Sequence, residues 1–393
     1  MSMTFDYVIL VDSFKPINNS AAVMIDELGI HMSKENTVCI ITEESTLKNF
    51  YSYEKLSNNY YVLRLKTFKR YRSNFLRGFS ELINPYLMVF IFRSFGLKNR
   101  ILAKNLIWYS PSIFYSPFIS YFKKINNART YLILRDMFPL WMVDLGLLKK
   151  GSITHNFLLY FEKKQYKLAD SIGVQVNTNI NIVKSIINNE CNIHVLNNWK
   201  SINPPINFKP LSHNLNSVYA GNIGIAQGIN NFHKIINLST IKNFNIDFFS
   251  QDINFDSLKT RYKDNANSNF LNSIPNNELE KEYLNYDFGF VLLDQNHKTN
   301  NIPGKFISYI SNGLPVFCIL NKGNPLINII DDNNLGVAFV NNDEDCIEEN
   351  WKKFTYLIHN ENLRDNCVNY AKKYYDVSSI SNQIRENIEK ILK

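Results

Sequence analysis

Short apolar runs alternate with longer amphipathic stretches along the first half of the chain. Residues 7–11 and 38–42 are apolar runs, and residues 21–33 between them have the spacing of an amphipathic helix. This order predicts a strand, a helix and a second strand. More strand-like runs follow at 61–65, 106–109, 131–134, 172–176 and 194–196. Most are separated by enough residues for a crossover helix, so the first half predicts a parallel sheet covered on both faces.

The alternation stops between residues 197 and 216, where Asn203-Pro204-Pro205 and Lys209-Pro210 disfavour helix and indicate a linker. It restarts with strand-like runs at 217–220, 245–249, 288–293, 316–320 and 337–340, and only helical patterns follow residue 345. The prediction is an α/β protein of two Rossmann-like domains facing an interdomain cleft. The predicted segments are domain 1–197, linker 198–216, domain 217–370 and helix 371–393, which either caps the second domain or crosses back to the first.

Length and composition support a two-domain globular protein. The 393 residues exceed the roughly 250 to 300 at which one core stops growing, and 45% are hydrophobic. The five cysteines are odd in number and show no C-x-x-C spacing, which favours a reducing compartment without a zinc site or disulfide framework. Residues 1–11 lack the features of a signal peptide, and no window reaches about 18 apolar residues. We therefore expect a cytoplasmic protein that does not cross a bilayer.

Two stretches of the second half are candidates for phosphate binding. Residues 219–229 run from a strand through a glycine-bearing turn into a helix, where backbone amides can approach a phosphate. A purely structural turn is equally supported by the residues alone. In residues 301–316, a helix is predicted to start near Lys305 and to end at a left-handed Gly313. A lysine at a helix start suits a diphosphate, and a solvated lysine on a capped helix is the alternative.

These two stretches resemble retaining GT-B glycosyltransferases of glycosyltransferase family four. Gly221 with Gln227-Gly228, and Lys305 with Ser308 and 313–316, reproduce the family's spacing. Asn222, Gln227, Ser308 and Asn300 stand where the family has an arginine, a lysine and two glutamates. The resemblance implies that amide groups and Lys305 replace the missing side chains around a UDP-sugar. The implied donor site consists of Gly221, Asn222, Ile223, Gly224, Gln227, Gly228, Pro303, Gly304, Lys305 and Ser308.

The combination of Gly-Asn-Ile-Gly with Pro-Gly-Lys-Phe, and the motif Arg-Asp-x-Phe-Pro in residues 132–146, resemble bacterial transferases that add N-acetyl-L-fucosamine to O-antigen and capsule. Arg135 and Asp136 follow a predicted strand, and the resemblance implies that they face the reacting sugar as catalytic residues. A structural contact is the alternative for this pair. Asn18, Asn19 and Ser20 resemble the acceptor-side loop, with Ser20 as a plain helix N-cap in the alternative interpretation.

The distribution of charged residues and histidines indicates which partners and cofactors to expect. Cations and aromatic residues interleave over 66–77, and the apolar stretch 85–95 follows. This pattern suits an anionic membrane surface, and a partly buried helix with a solvated basic edge is the alternative.

No nucleic-acid-binding motif is present, so we expect no nucleic-acid partner. The seven histidines do not cluster, so we expect neither a metal nor a cofactor besides the nucleotide-sugar co-substrate.

The resulting hypothesis is a retaining glycosyltransferase of the hexosyltransferase type in surface polysaccharide synthesis. It would move N-acetyl-L-fucosamine, or a related amino-deoxy sugar, from UDP to a sugar on undecaprenyl diphosphate. The enzyme would work in the cytoplasm or at the inner face of the plasma membrane. Two alternatives remain: a nucleotide-sugar 2-epimerase of GT-B architecture, and a noncatalytic GT-B partner subunit, which the missing glutamates favour.

Overall fold

The computed structural model describes residues 3–17, 19–69, 74–110, 112–144, 146–187, 191–205, 207–295, 302–340 and 344–390. The chain divides into unit 1, Met1–Lys200 with Val377–Lys393, and unit 2, Ser201–Asp376. Most of the segment predicted as a linker, 198–216, is therefore counted with unit 2. The predicted division at 370/371 lies six residues before the observed one, which follows Asp376.

Strands and helices alternate through both units. The strands are β1 Met3–Val11, β2 Val38–Glu44, β3 Tyr51–Ser57, β4 Tyr60–Lys66, β5 Ile101–Ser110, β6 Arg129–Leu134, β7 Ser171–Val174, β8 Asn192–Val195, β9 Asn216–Ala220, β10 Asn245–Ser250, β11 Ser268–Asn272, β12 Phe288–Leu292, β13 Val316–Leu320 and β14 Gly336–Val340. The helices are α1 Ser20–Met32, α2 Asn74–Ser94, α3 Ser116–Asn126, α4 Leu140–Asp144, α5 Ile153–Leu168, α6 Asn177–Ile186, α7 Ile229–Lys242, α8 Ile253–Arg261, α9 Asn276–Glu282, α10 Gly304–Ser311, α11 Leu326–Asp332, α12 Glu344–Leu357, α13 Leu363–Tyr375 and α14 Val377–Glu389. Within the described ranges, no helix combines the length and the apolar character needed to span a membrane.

Unit 1 is built on an eight-stranded sheet with the order β3-β4-β2-β1-β5-β6-β7-β8. Successive side chains of a strand point to opposite faces, so Val8 and Leu10 of β1 pack with α2, α3, α5 and α6. Ile9 and Val11 pack with α1 and α14 on the other face. Both faces are thus covered by helices, as the continuous apolar runs predict.

Unit 2 repeats this architecture around a six-stranded sheet with the order β11-β10-β9-β12-β13-β14, in which all pairs are parallel. Val218 and Ala220 of β9 face α10, α11 and α13. Tyr219, between them, faces α7, α8 and α12. The position of β9 in the middle of the sheet places the turn after it next to the loops that follow β10 and β12.

Two edge strands lack the apolar runs of the other strands, and one of them is antiparallel to its neighbour. β3 pairs antiparallel with β4 at one edge of the first sheet, and β11 forms an edge of the second. Their sequences, Tyr-Ser-Tyr-Glu-Lys-Leu-Ser and Ser-Asn-Phe-Leu-Asn, contain no apolar run, and most of their residues are exposed or only partly buried. The sequence pattern therefore missed both strands, and the predicted parallel sheet carries one antiparallel strand at this edge.

The C-terminal helix α14 packs on unit 1. The Val377 amide donates to the Lys200 carbonyl at 3.1 Å, and the Gln383 side chain donates to the Val195 carbonyl at 2.7 Å. Ile384 is fully buried in the cluster that α1 shares with the sheet. The last helix thus supplies part of the core of the unit in which the chain begins.

We expect Ile384→Ala to destabilise the protein by about 3 kcal/mol, because truncating a fully buried isoleucine leaves a cavity. The matched change on the exposed side of the same helix, Glu386→Ala, should alter the free energy of unfolding by less than about 0.5 kcal/mol. Urea unfolding of the full chain measures both. Equal effects of the two changes would contradict the packing of α14 on unit 1.

Candidate functional site

The turn between β9 and α7 carries two glycines in conformations that favour glycine. Gly221 has φ +127° and Gly228 has φ +72°. A Cβ at Gly228 would lie 2.8 Å from a carboxylate oxygen of Asp294, and a Cβ at Gly221 would lie 3.3 Å from the Lys305 ammonium nitrogen. Both glycines therefore allow a close approach that a larger residue would obstruct.

Hydrogen bonds within unit 2 hold this turn in one conformation. The Gly224 amide donates to the Gln227 side-chain oxygen at 3.0 Å, and the Ile223 amide donates to an Asp252 carboxylate oxygen at 2.6 Å. The Asn231 side chain donates to the Gln227 carbonyl at 3.0 Å. The oxygen of the Gln227 side chain is thus used inside the turn, which gives this predicted donor ligand a positioning role. Asn222 is exposed, and its carbonyl accepts from the Tyr219 hydroxyl.

The start of α10 brings Lys305 to the turn. Pro303 precedes the helix without a side-chain cap, and Gly304 is its exposed first residue. The Lys305 ammonium donates to the Tyr219 hydroxyl at 3.0 Å and lies 4.6 Å from the centre of the Tyr219 ring. Burial alone lowers the pKa of Lys305 to about 8. Among the described residues, no carboxylate pairs with this ammonium group or opposes the shift.

Other residues of α10 fix its place beside β9. The Ala220 amide donates to the Tyr309 hydroxyl at 2.9 Å, and Tyr309 is fully buried. Ser308 lies one turn after Lys305 and is partly exposed. Gly313 has the left-handed conformation predicted for it, with φ +71°, just after the helix ends. The structure therefore joins the two sequence stretches through Gly221, Tyr219 and Lys305.

Arg135, at the end of β6 in unit 1, makes structural contacts. Its guanidinium donates to the carbonyls of Leu196 at 2.6 Å and Asn197 at 3.0 Å, and it lies 5.2 Å from the Trp199 ring. Burial lowers the pKa of this guanidinium. Asp136, the next residue, is exposed. The structure thus shows the contact that the sequence left as an alternative for Arg135, and it places Asp136 at the carboxyl edge of the sheet.

The loop after β1 was predicted to lie on the acceptor side. Asn18 is outside the described residues. The Asn19 side chain caps α1 by accepting from the Ala22 amide at 2.8 Å, and it donates to the Ser13 hydroxyl at 2.9 Å. Ser20 is the first residue of the helix, so the alternative that made Ser20 the N-cap was wrong by one residue.

Sequence reasoning missed the residues that support the turn. Tyr219 belongs to an apolar run and is predicted only as part of a strand, and a tyrosine hydroxyl two residues before Gly221 was the available signal. Asp252 caps α8 and also accepts from the turn, since β10 pairs with β9. Asp294 follows β12, on the other side of β9, and its amide donates to the Ala226 carbonyl at 2.9 Å. Only the strand order reveals that these two aspartates meet the turn.

Several predicted features lie partly outside the described residues. Asn300 and Asn301 lie outside them, and so do residues 70–73 of the basic run 66–77. Of the rest of that run, Arg77 forms an ion pair of 2.9 Å with Glu81 on α2. Among the described residues, no group of three histidine, cysteine or acidic side chains is placed to hold a metal ion.

Comparison with known proteins gives one relative in sequence and many in fold. No family model matches the chain. A probable glycosyltransferase of Pseudomonas aeruginosa, WbjE, is 24% identical over 217 residues, which cover 52% of this chain and 54% of that protein. The chain thus spans about half the length of the curated relative that it matches.

The solved structures match almost the whole chain. Sucrose-phosphate synthase from Thermosynechococcus elongatus has a TM-score of 0.70 at 11% identity, covering 98% of this chain and 99% of that one. An Escherichia coli trehalose-6-phosphate structure bound with UDP-2-fluoro glucose has a TM-score of 0.66 at 11% identity, with the same coverage. These similarities confirm the predicted fold: two Rossmann-like α/β units with parallel sheets and a helical C-terminal segment, the GT-B architecture of glycosyltransferases.

Proposed function

We propose that this protein is a glycosyltransferase that takes a sugar from a UDP-linked donor. The observation that carries the proposal is the ammonium of the partly buried Lys305, which donates to the Tyr219 hydroxyl at 3.0 Å and has no carboxylate partner among the described residues. A buried charge is costly unless an opposite charge meets it, and a diphosphate would supply that charge. The start of α10 provides backbone amides at the same place, and the glycines of the turn allow a ligand to approach closely.

The diphosphate would be held by Lys305 and by the first amides of α10, and the glycines of the turn, Gly221 and Gly228, would let it approach closely. These groups would stabilise the negative charge that develops on the departing UDP, because they are fixed before the reaction begins. Ser308 would lie near the ribose, where the resembling family has a glutamate. The Escherichia coli structure of the same fold is bound with UDP-2-fluoro glucose, which supports UDP as the carrier.

The sugar and acceptor follow from the resemblance. We propose retention at the anomeric carbon and transfer of N-acetyl-L-fucosamine, or a related amino-deoxy sugar, to a sugar on undecaprenyl diphosphate during O-antigen or capsule synthesis. The similarity to WbjE supports a glycosyltransferase. Transfer would take place at the inner face of the plasma membrane, with the enzyme attached peripherally. Asp136 would face the reacting sugar, and Arg135 would position it by holding the ends of β6 and β8.

The first test is thermal stabilisation of the protein by a panel of nucleotides and UDP-sugars. A ligand at 100 times its dissociation constant should add about 2.7 kcal/mol. We expect Lys305→Met to weaken binding of UDP by about 10- to 100-fold, because a hydrogen bond to a charged group is lost without loss of volume. The control is Lys322→Met, which removes an exposed lysine of the same unit and should leave affinity unchanged. Stabilisation by no nucleotide would contradict the proposed donor site.

The affinity for UDP should also depend on pH through Lys305. Its pKa of about 8 in the free protein means that it is charged below pH 8 and loses its proton above it. Affinity should therefore be highest below pH 8 and fall by up to about tenfold per pH unit above it, because the neutral amine attracts the diphosphate less. Calorimetric titration from pH 6.5 to 9.5 measures this. The same slope above pH 8 in Lys305→Met would contradict the assignment.

The substitution Asp136→Asn tests whether Asp136 acts in the transfer reaction rather than in binding of UDP. We expect UDP affinity to stay within about twofold, whereas release of UDP from the stabilising donor, with lipid-linked acceptor present, falls at least about 100-fold. Asp264→Asn, at an exposed position, is the control and should retain activity.

The reaction products distinguish the two alternative functions. Conversion of the UDP-sugar without release of UDP would identify a 2-epimerase. Binding of the donor with neither reaction would identify a noncatalytic subunit.

A further inference from the structure

Two helices of unit 1 expose apolar side chains along one stripe each. On α5, Ile153 is 91% exposed, and Phe157 and Tyr160 follow at intervals of four and three residues. On α2, Phe79, Tyr86 and Phe90 are exposed, with Phe90 at 60%. These spacings place each set on one side of its helix. Contiguous exposed apolar residues of this kind mark an interaction surface.

The two stripes point in the same direction. Helices α2 and α5 cover the same face of the sheet, to which α2 contributes Met88 and Phe92 and α5 contributes Tyr166. The stripes lie on the opposite side of each helix from these residues. Leu82 of α2 and Leu158 of α5 also pack against one cluster, formed by Ile113, Phe114 and Phe161. Both helices also pack against α3, so their outer stripes lie on the same side of unit 1 and are called here the outer face of α2 and α5.

Cations surround this outer face, whereas α2 and α5 themselves carry few carboxylates. The two helices contain only two carboxylates: Glu81, which is paired with Arg77 at 2.9 Å, and Glu162, which is buried. The stripe of α5 continues into positively charged residues, and both helices are flanked by others. These cations are Lys149, Lys150, Lys163, Lys164 and Lys167 around α5, and Arg93, Lys98 and Arg100 at the end of α2.

We propose that the outer face of α2 and α5 docks on an anionic phospholipid bilayer. Aromatic and aliphatic side chains would enter the boundary between headgroups and acyl chains, and the lysines would contact the acidic headgroups. The charge favours a bilayer over a protein partner, because the face offers cations around an apolar centre with no carboxylate free to pair. The inference rests on the proposed function for its biological reason, since a lipid-linked acceptor would be met at such a surface.

The test is co-sedimentation of the full-length protein with vesicles of phosphatidylcholine alone or mixed in equal parts with phosphatidylglycerol. We expect binding to the anionic vesicles only, weakened at high salt because exposed charges are screened. Ile153→Ser combined with Phe157→Ser should weaken binding at least about tenfold, and so should Lys163→Glu combined with Lys167→Glu. The matched controls are Ile241→Ser and Tyr356→Ser, at positions 64% and 88% exposed on unit 2, which should bind as the unchanged protein does.

Equal binding to neutral and anionic vesicles, or unchanged binding by both double variants, would overturn the proposal. A dimer that the Ile153 and Phe157 changes convert to a monomer in sedimentation velocity would assign the face to a second copy of the chain and overturn it as well. Vesicle binding needs no donor, so Lys305→Met should retain it, and the double variants should retain stabilisation by UDP. Failure of one measurement alone therefore identifies which of the two proposals fails.

Discussion

The contact between the Lys305 ammonium and Tyr219 is the interaction on which the donor site depends. Burial of this ammonium is unfavourable, as the lowered pKa of about 8 shows. The tyrosine hydroxyl at 3.0 Å and the face of its ring offset part of that cost. Tyr219 can hold the lysine because it lies one residue before the end of a central strand, where its fully buried ring packs against neighbouring aromatic side chains. A desolvated cation without a carboxylate partner is characteristic of a functional site that binds an anion.

The turn beside Lys305 contributes an ordered backbone rather than charge. In the described residues of the turn and of α10, Lys305 is the cation that the sequence provides. The Gln227 oxygen accepts from the Gly224 amide, and Asp252 accepts from the Ile223 amide, so the backbone is ordered before any ligand arrives. A preorganised turn loses little entropy when a phosphate binds. This explains how Lys305, the first amides of α10 and an ordered turn could hold a donor where the resembling family has further cations.

Some charged side chains of unit 1 stabilise the fold, whereas others lie on the surface. Arg135 follows a strand, as a catalytic residue often does, yet its guanidinium is committed to carbonyls 61 and 62 residues further along the chain. It ties the ends of two strands together and leaves Asp136 exposed beside them. The lysines of α5, in contrast, extend into solvent on the side away from the sheet. The same type of residue therefore serves the fold in one place and the surface in the other, according to burial.

The sequence by itself determined most of the strands, the two Rossmann-like halves and the left-handed Gly313, because these depend on local properties. A strand buried on both faces must be a continuous apolar run, whereas the polar edge strands β3 and β11 leave no such signal. Tertiary structure alone decided that Lys305 meets a tyrosine 86 residues away, that Asp252 and Asp294 flank the turn, and that α14 returns to unit 1. An apolar run predicts a buried strand but does not indicate which strands lie beside it. The order of the strands, and every contact that follows from that order, is therefore determined only by the tertiary structure.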